Sequence, residues 1–240
     1  MVIVHNEASK IGDCIKSLRQ LTDDIVVVDS FSTDATVHIC NELNVRVFQQ
    51  KWLGYSQQKN FGNAQAQHDW VISIDADERI SGELAIHIQQ IFEQEPKADA
   101  YNLDFLTHFC GKAIHFGGWN PESHVRIFNK KIINWNTDAV HEGLTLQPQH
   151  KIEKLRGKVL HYTVGTPQAY MDKTEKYSSL FAEKSKSLGK KASFWKIYLS
   201  PITRFIKEYC LKLGFLDGKE GLFIAKENAR YTYLKYLKMK

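Results

Sequence analysis

Two carboxylates separated by one residue, Asp75 and Asp77, follow an apolar run in the first third of the chain. Such a pair can hold a hard divalent cation, Mg²⁺ or Mn²⁺, against a diphosphate that supplies further oxygen ligands. The same spacing also occurs in solvated turns. A calcium-binding loop is excluded, because Ile80 stands where that loop needs a glycine for its sharp turn. The pair therefore indicates either a metal and diphosphate site or an exposed turn.

Asp29 is a second acidic residue that directly follows an apolar run, at residues 25–28. The polar segment 30–34 comes next, and His5-Asn6-Glu7 follows the first apolar run of the chain. In open α/β sheets, ligands bind beyond the carboxyl ends of the strands, so these polar residues stand where a ligand site is expected. For Asp29, the structural alternative is a cap on the turn that follows.

The elements that must position these residues follow from hydrophobic periodicity. Short apolar runs predict buried strands at 2–4, 25–28, 45–48 and 70–74, and apolar residues at helical spacing predict helices at 11–18, 37–43 and 83–94. Residues 100–163 are typical of mixed antiparallel strands and loops. The alternation predicts an α/β fold with a Rossmann-like, mostly parallel sheet flanked by helices.

The last part of the chain differs in charge. Residues 1–150 hold 12 basic and 19 acidic residues, whereas residues 151–240 hold 20 basic and 8 acidic ones. This asymmetry suggests chemistry in the first part and an anionic surface or acceptor for the second. We predict a catalytic domain at 1–165 and a basic helical region at 166–240 that packs on the core.

An apolar stripe from Trp195 to Leu213 predicts an amphipathic helix in this basic region, with Ser200-Pro201 starting the main helix and Gly214 ending it. On another face of this helix lie the basic residues Lys196, Arg204 and Lys207. The stripe can pack on the core or lie in an anionic membrane interface. Both are possible together, because the basic face stays free.

Taken together, these residues resemble the inverting family 2 glycosyltransferases of the GT-A fold. The resemblance covers five motifs in order: the first strand with Asn6-Glu7, Val27-Val28-Asp29-Ser30-Phe31-Ser32-Thr33-Asp34, Gln58-Lys59-Asn60, Asp75-Ala76-Asp77-Glu78 and Val140-His141-Glu142. Within that family the chain is most similar to bacterial lipopolysaccharide core β-1,4-glucosyltransferases that act on the inner-core heptose. Residues 214–222 contribute to this likeness, which therefore spans nearly the whole chain.

The resemblance implies a role for each matching donor-site residue. Asp29 would accept a hydrogen bond from the uracil of a UDP-sugar, with Asn6 and Glu7 nearby. Asp75 would approach the ribose. The other two roles concern the diphosphate, where Asp77 would ligate the metal and Lys59 would help to stabilise the charge that develops on the departing UDP.

Sugar transfer with inversion also needs a base that takes the proton of the acceptor hydroxyl. Glu142 matches the position of the base in the family, and His141 would orient it or contact phosphate. Many relatives have Glu-Asp where this chain has His141-Glu142, and a surface His-Glu pair is the structural alternative.

Four further residues have two interpretations each. His161 is either a third metal ligand or a histidine of the core. Arg126 is either a phosphate contact or the partner of an internal ion pair. Lys173 and Tyr177, four residues apart on a predicted helix, either contact phosphates or belong to a solvated face.

Several classes of protein lose support from the sequence. It contains no dinucleotide-binding glycine fingerprint, no phosphate-binding P-loop and no nucleophile elbow. The four cysteines are widely spaced, which indicates reduced, cytoplasmic thiols. No apolar run is long enough to span a membrane. Nucleic-acid binding is disfavoured, because no recognised motif accompanies the basic charge.

The sequence and the resemblance therefore favour an inverting, metal-dependent transferase that moves a hexose, with glucose expected, from a UDP-sugar to a lipid-linked acceptor. The expected acceptor is the inner-core heptose of lipopolysaccharide. The transferase would act as a peripheral protein on the inner face of the cytoplasmic membrane. A transferase that uses polyprenyl phosphate and a non-catalytic module that binds anionic lipid are the alternatives.

Overall fold

The structure, a computed structural model, describes residues 1–136 and 143–240. Two compact units make up the chain: Met1–Phe105 with Ser123–His161, and Leu106–Glu122 with Tyr162–Lys240. This division rests on spatial contacts. The functional boundary at residue 165 stays a prediction.

Strands and helices largely alternate along the first hundred residues, and helices dominate the end of the chain. The strands are β1 (Val2–Val4), β2 (Val26–Asp29), β3 (Arg46–Gln49), β4 (Trp70–Ile72), β5 (Ile74–Asp75), β6 (Glu78–Ile80), β7 (Ala100–Phe109), β8 (Lys112–Ala113), β9 (Glu122–Asn129) and β10 (Ile152–Val164). The α-helices are α1 (Ile11–Leu18), α2 (Thr36–Glu42), α3 (Tyr55–Gln65), α4 (Gly82–Phe92), α5 (Pro167–Ser187), α6 (Phe194–Phe205) and α7 (Gly218–Leu237). A π-helical turn, Ile206–Leu211, continues α6, and short 3₁₀ turns occur at Gly117–Trp119 and Gly214–Asp217.

A parallel sheet in the order β3-β2-β1-β5 forms the centre of the first unit. All four residues of β2 are buried, as expected for a strand that is covered on both faces. The helix α1 buries its apolar face, Ile11, Cys14, Ile15 and Leu18, in the same core. These observations confirm the predicted α/β class, the first three predicted strands and the three predicted helices, with bounds that differ by one or two residues.

A second sheet is antiparallel, in the order β4-β9-β7-β10-β6. The sequence predicts one strand at 70–74, and this prediction is wrong in one respect. Ser73 divides the run, because its N–H donates to the carbonyl of Arg126 at 2.8 Å while the next N–H, of Ile74, donates to the carbonyl of Met1 at 3.1 Å. Accordingly β4 pairs with β9 of the antiparallel sheet and β5 pairs with β1 of the parallel sheet.

The helix α3 has no counterpart among the elements predicted from sequence. Its buried residues are mostly polar, and they include Gln58, Lys59 and Asn63. A helix whose inward face is polar shows no apolar period, so the pattern that locates other helices does not locate this one.

Three helices, α5, α6 and α7, dominate the second unit, and α7 packs against both of the others. The helix α6 begins at Phe194, where the Ser193 hydroxyl accepts a hydrogen bond from the N–H of Lys196. The predicted start at Ser200-Pro201 is therefore wrong, and Pro201 lies inside the helix. Along the described residues, no helix is both long enough and apolar enough to cross a membrane.

Buried polar groups organise the second unit around the end of α6. The carboxylate of Asp217 accepts hydrogen bonds from the N–H groups of His115 and Phe116, at 3.1 and 2.8 Å. The buried Glu208 pairs with Arg204 and accepts a hydrogen bond from the side-chain amide of Asn228 at 2.7 Å. Each buried carboxylate thus has donors, which removes the penalty of an unpaired buried charge.

Gly157 is the position where the fold tolerates a side chain least well among the strands that frame the site. It lies in β10 with φ of +92°, and an added Cβ would stand 2.4 Å from the backbone nitrogen of Leu84. We expect Gly157→Ala to lower the free energy of unfolding by about 3 kcal/mol, because the backbone conformation and the contact are both unfavourable. Urea unfolding followed by circular dichroism measures this change.

Gly165→Ala is the matched control, since an added Cβ there meets nothing within 4 Å. Its free energy of unfolding should change by less than about 1 kcal/mol. Equal losses in the two variants would contradict the steric explanation.

Candidate active site

The acidic turn lies where the chain crosses between the two sheets. Asp75 ends β5 in the parallel sheet, Glu78 begins β6 in the antiparallel sheet, and Ala76 and Asp77 form the turn between them. Asp75 is in register with Ile3 of β1. On the other side, Glu78 is in register with His161 of β10. The crossing therefore places Asp77 close to β10.

Two cations hold the first carboxylate of the turn. The Asp75 carboxylate lies 3.4 Å from Nζ of Lys59 and 3.2 Å from Nη2 of Arg126. Burial disfavours the ionised form, but the charges of Arg126 and Lys59 outweigh it and hold the pKa of Asp75 below its usual range. Asp75 is consequently a fixed anion.

Glu78 is nearly fully buried behind Asp75. Its Oε2 accepts the backbone N–H of Asp75 at 2.9 Å, and its Oε1 accepts Nη2 of Arg126 at 2.8 Å. Burial raises the pKa of Glu78 to about 7, although Arg126 acts in the opposite direction. The guanidinium of Arg126 thus bridges two carboxylates that belong to different sheets.

The second carboxylate of the turn is half-buried and has different neighbours. Oδ2 of Asp77 lies 3.6 Å from Nε2 of His161 and 3.7 Å from Nζ of Lys10. Burial opposes ionisation, but the hydrogen bond and charge of His161, together with Lys10, keep the pKa of Asp77 low. Lys10 also lies 3.7 Å from Glu7, whose pKa is raised by burial. Lys10 therefore links Glu7 to Asp77. His161 lies beside Asp77, and its role as a metal ligand stays a prediction.

The loop after β2 is held by the loop after β1. The Asp29 carboxylate is fully buried and accepts the backbone N–H of Ser32 at 3.1 Å, which is the capping contact considered from sequence. Asn6 has φ of +57° and accepts the backbone N–H of Thr33 at 2.8 Å. The backbone N–H of Glu7 donates to the hydroxyl of Thr36 at 2.8 Å. These bonds fix Asn6, Glu7 and Asp29 at the carboxyl ends of neighbouring parallel strands.

A cavity of about 450 Å³ lies beside Asp75 in the first unit. Lys59 and Arg126 line it together with Trp135 and Gly143. The ammonium of Lys59 stands 4.4 Å from the centre of the Trp135 ring, an arrangement in which a cation and an aromatic face attract each other. The cavity is therefore cationic, with an aromatic wall.

Two predicted site residues, His141 and Glu142, lie outside the described residues. The chain on either side of them is joined by a hydrogen bond from the N–H of Asn136 to the carbonyl of Gly143, at 2.8 Å.

Lys173 and Tyr177 lie on α5 in the second unit, where the ammonium of Lys173 is 3.3 Å from the hydroxyl of Thr163 and Tyr177 is exposed. The structure thus brings together seven predicted residues in the first unit, namely Asn6, Glu7, Asp29, Lys59, Asp75, Asp77 and Arg126, with His161 beside Asp77.

Three residues of the site have no role in the sequence prediction. Lys10 lies in the turn before α1, and no sequence pattern singles it out. Trp135 lies far along the chain from Lys59 and becomes its neighbour only through tertiary structure. Glu78 belongs to the motif Asp75-Ala76-Asp77-Glu78 but has no predicted role, although its position directly after Asp77 could have identified it.

The donor atoms at the turn bear on whether the site suits a divalent metal. Within residues 1–136 and 143–240, no group of three or more His, Cys, Asp or Glu is arranged to hold a metal ion. The Asp77 carboxylate and the His161 imidazole form a pair of donors, and a diphosphate would have to supply further oxygens. The residues fit a metal that is bound jointly by protein and nucleotide.

Known proteins resemble this chain in sequence and in fold. The family model Glycosyl transferase family 2 matches residues 1–104. An uncharacterized glycosyltransferase of Rickettsia typhi is 31% identical over 249 residues, which cover 99% of this chain and 84% of that protein. The lipopolysaccharide core biosynthesis glycosyltransferase LpsC of Rhizobium meliloti is 27% identical over 250 residues, which cover 99% of this chain and 90% of LpsC.

Among solved structures, the crystal structure of S. aureus TarS 1-349 in complex with UDP superposes with a TM-score of 0.51 at 16% identity. The superposition covers 99% of this chain and 88% of that one. The fold, a parallel sheet with flanking helices and a helical C-terminal region, is that of the GT-A glycosyltransferases. The chain belongs to glycosyltransferase family 2, as the resemblance of its motifs predicted.

Among the residues of the site, replacement of Arg126 should lower the free energy of unfolding most. We expect Arg126→Met to lower the free energy of unfolding by about 3–5 kcal/mol, because Asp75 loses one of its two cations and the buried Glu78 loses the guanidinium that donates to it. Thermal and urea unfolding measure this loss.

Lys131→Met is the control, because Lys131 pairs with Asp69 at 2.7 Å on the surface. Loss of this ion pair should lower the free energy of unfolding by less than about 1 kcal/mol. If Arg126→Met were as stable as this control, the two carboxylates would not depend on the guanidinium.

Proposed function

We propose that this chain is an inverting, metal-dependent glycosyltransferase that moves a hexose, in the first instance glucose, from a UDP-sugar to a lipid-linked acceptor. The inner-core heptose of lipopolysaccharide is the proposed acceptor. The observation that carries the proposal is the acidic turn at the carboxyl end of β5, where Asp75 and Asp77 have different cationic partners. The name of LpsC supports the choice of acceptor.

The donor would bind along the carboxyl ends of the parallel strands. Asp29 would accept the imide N–H of uracil once the turn at Ser32, which covers its buried carboxylate, moves aside, with Asn6 and Glu7 on the neighbouring loop. Asp75, already ionised and fixed by Lys59 and Arg126, would accept a ribose hydroxyl. Because these ion pairs hold Asp75 in place, little ordering of its side chain is needed when the nucleotide binds.

Asp77 and His161 would hold Mg²⁺ or Mn²⁺ together with the diphosphate. When bound, the metal would supply positive charge for the departing UDP. Lys59 adds a fixed cation at the cavity wall, and Lys10 adds another beside Asp77. Electrostatic stabilisation of a leaving group needs no reorganisation when its charges are fixed in advance.

Glu142 is the proposed base. Gly143, the residue that follows it, lines the cavity beside Asp75, which supports a catalytic role for this part of the chain. Glu142 would take the proton of the acceptor hydroxyl on the face of the sugar opposite the leaving UDP, and His141 would orient it or contact phosphate. Arg126 is assigned to its ion pairs with Asp75 and Glu78, while Lys173 and Tyr177 stay candidates for phosphate contacts of the acceptor.

Asp77→Asn should strongly reduce metal-dependent turnover while the protein stays folded, because the amide keeps the shape of the side chain but lacks its charge. We expect UDP release to fall by about two to three orders of magnitude. The assay measures UDP released from UDP-glucose, UDP-galactose and UDP-N-acetylglucosamine in turn, with truncated lipopolysaccharide core as acceptor.

Asp23→Asn is the control, since that side chain is fully exposed and far from the acidic turn in sequence. It should keep wild-type turnover. Full activity of Asp77→Asn, or of the wild type in excess chelator, would overturn the metal assignment.

Glu142→Gln should leave the donor bound but unreactive. We expect kcat to fall by about 10²- to 10⁴-fold, which is the usual contribution of a general base, with an unchanged Kd for the UDP-sugar by calorimetry. The kcat of His141→Gln should fall by a smaller factor. If the histidine variant lost turnover and the glutamate variant kept it, His141 would be the base.

A further inference from the structure

The second unit leaves a large apolar surface uncovered. On α6, Trp195 and Ile202 are 67% and 55% exposed, whereas Ile197 on the opposite side is 4% exposed and packs inward. Leu199 and Ile206 lie on the same face as Trp195 and are also exposed. The stripe therefore points to solvent, and few isolated proteins expose so many large apolar side chains next to one another.

The charged residues around this stripe are all cationic. Residues 184–207 contain seven Lys or Arg residues and no Asp or Glu. Arg204 is occupied by its ion pair with the buried Glu208. Lys196 and Lys207 both lie on one side of the apolar stripe, about a quarter to a third of a helical turn away from its centre.

Four of these lysines surround a cavity of about 460 Å³ in the second unit: Lys184, Lys190, Lys191 and Lys196. Its other walls are apolar and include Phe181, Leu188 and Met239. Lys196 belongs both to this cavity and to α6, directly after Trp195. A volume of this size can hold a small ligand, and the combination of ammonium groups with apolar walls suits an anionic headgroup that carries acyl chains.

We propose that this face binds the surface of an anionic phospholipid bilayer, with the α6 stripe in the interface and a lipid phosphate in the lysine cavity. An interfacial helix has these properties: an exposed apolar face that carries an aromatic residue, and lysines beside that face. Charge complementarity selects an anionic bilayer rather than a second copy of the chain, because two copies would bring the same lysines together. The inference rests on the proposed function, since a lipid-linked acceptor would be presented at such a surface.

Co-sedimentation of the full chain with vesicles tests this proposal without donor or acceptor. The vesicles are phosphatidylcholine alone, or phosphatidylcholine with about 30% phosphatidylglycerol to supply the negative surface charge. We expect binding to the anionic vesicles only, and weaker binding at high salt because ions screen the charges. Asp77→Asn should bind vesicles like the wild type, so a failure of the proposed chemistry would not affect this result.

Two variants separate the parts of the face. A variant with Lys184→Gln, Lys190→Gln, Lys191→Gln and Lys196→Gln should lose about a hundred-fold or more in affinity, since each lysine near an anionic surface contributes about five-fold. A variant with Trp195→Gln, Leu199→Gln and Ile202→Gln should bind only weakly. The matched control removes the same charge elsewhere, at Lys16, Lys51, Lys97 and Lys176, and should lose far less.

Several results would overturn the proposal. These are wild-type binding by the four-lysine cavity variant, equal losses in that variant and its charge control, and no vesicle binding by the wild type. Binding of inorganic phosphate or single-stranded RNA without vesicle binding would assign the lysines to a soluble anion or a nucleic acid instead. A dimer that buries Trp195 and does not bind vesicles would assign the stripe to a second copy.

Discussion

The buried guanidinium of Arg126 is the interaction on which the first unit depends most. It lies between Asp75 at the end of β5 and Glu78 at the start of β6, so one cation joins the parallel sheet to the antiparallel sheet. Removing a charged group from water is costly unless an opposite charge and hydrogen bonds replace the solvent. Here the two carboxylates, the guanidinium and Lys59 satisfy one another. The geometry of the turn between the sheets, and hence the position of Asp77, follows from this network.

The two aspartates of the turn therefore differ in what they can do. Asp75 has two buried cationic neighbours, so its charge is already balanced within the protein. Asp77 is half-buried, and its neighbours Lys10 and His161 stand at 3.6–3.7 Å, which is longer than a strong charged hydrogen bond. An incoming cation can take the place of such loose contacts more easily than that of the Arg126 pair. The environment, rather than the residue type, makes the contacts of Asp77 easier to replace than those of Asp75.

The sequence predicts those parts of the structure in which apolar residues repeat at a regular spacing. The strands β1 and β2 and the helix α1 are located correctly because each buries an apolar face or run. The helix α3 escapes prediction because Gln58, Lys59 and Asn63 form its buried side. The division of the run at 70–74 depends on hydrogen bonds of Ser73 and Ile74 to distant parts of the chain, which no local pattern contains.

In the candidate site, too, local sequence patterns identify some side chains and miss those that are brought close only by the fold. Asp75 and Asp77 could be singled out because they are close in sequence and follow a strand. Lys10 and Trp135 could not, since their closeness to Asp77 and Lys59 arises only from the fold. Periodicity has a related limit in α6, where it shows that one face is apolar but not whether that face packs or is exposed. The structure answers this question, since Ile197 is buried and Trp195 is exposed. A helix can bury its narrower apolar face and leave the broader one exposed when that broader face contacts a second apolar phase.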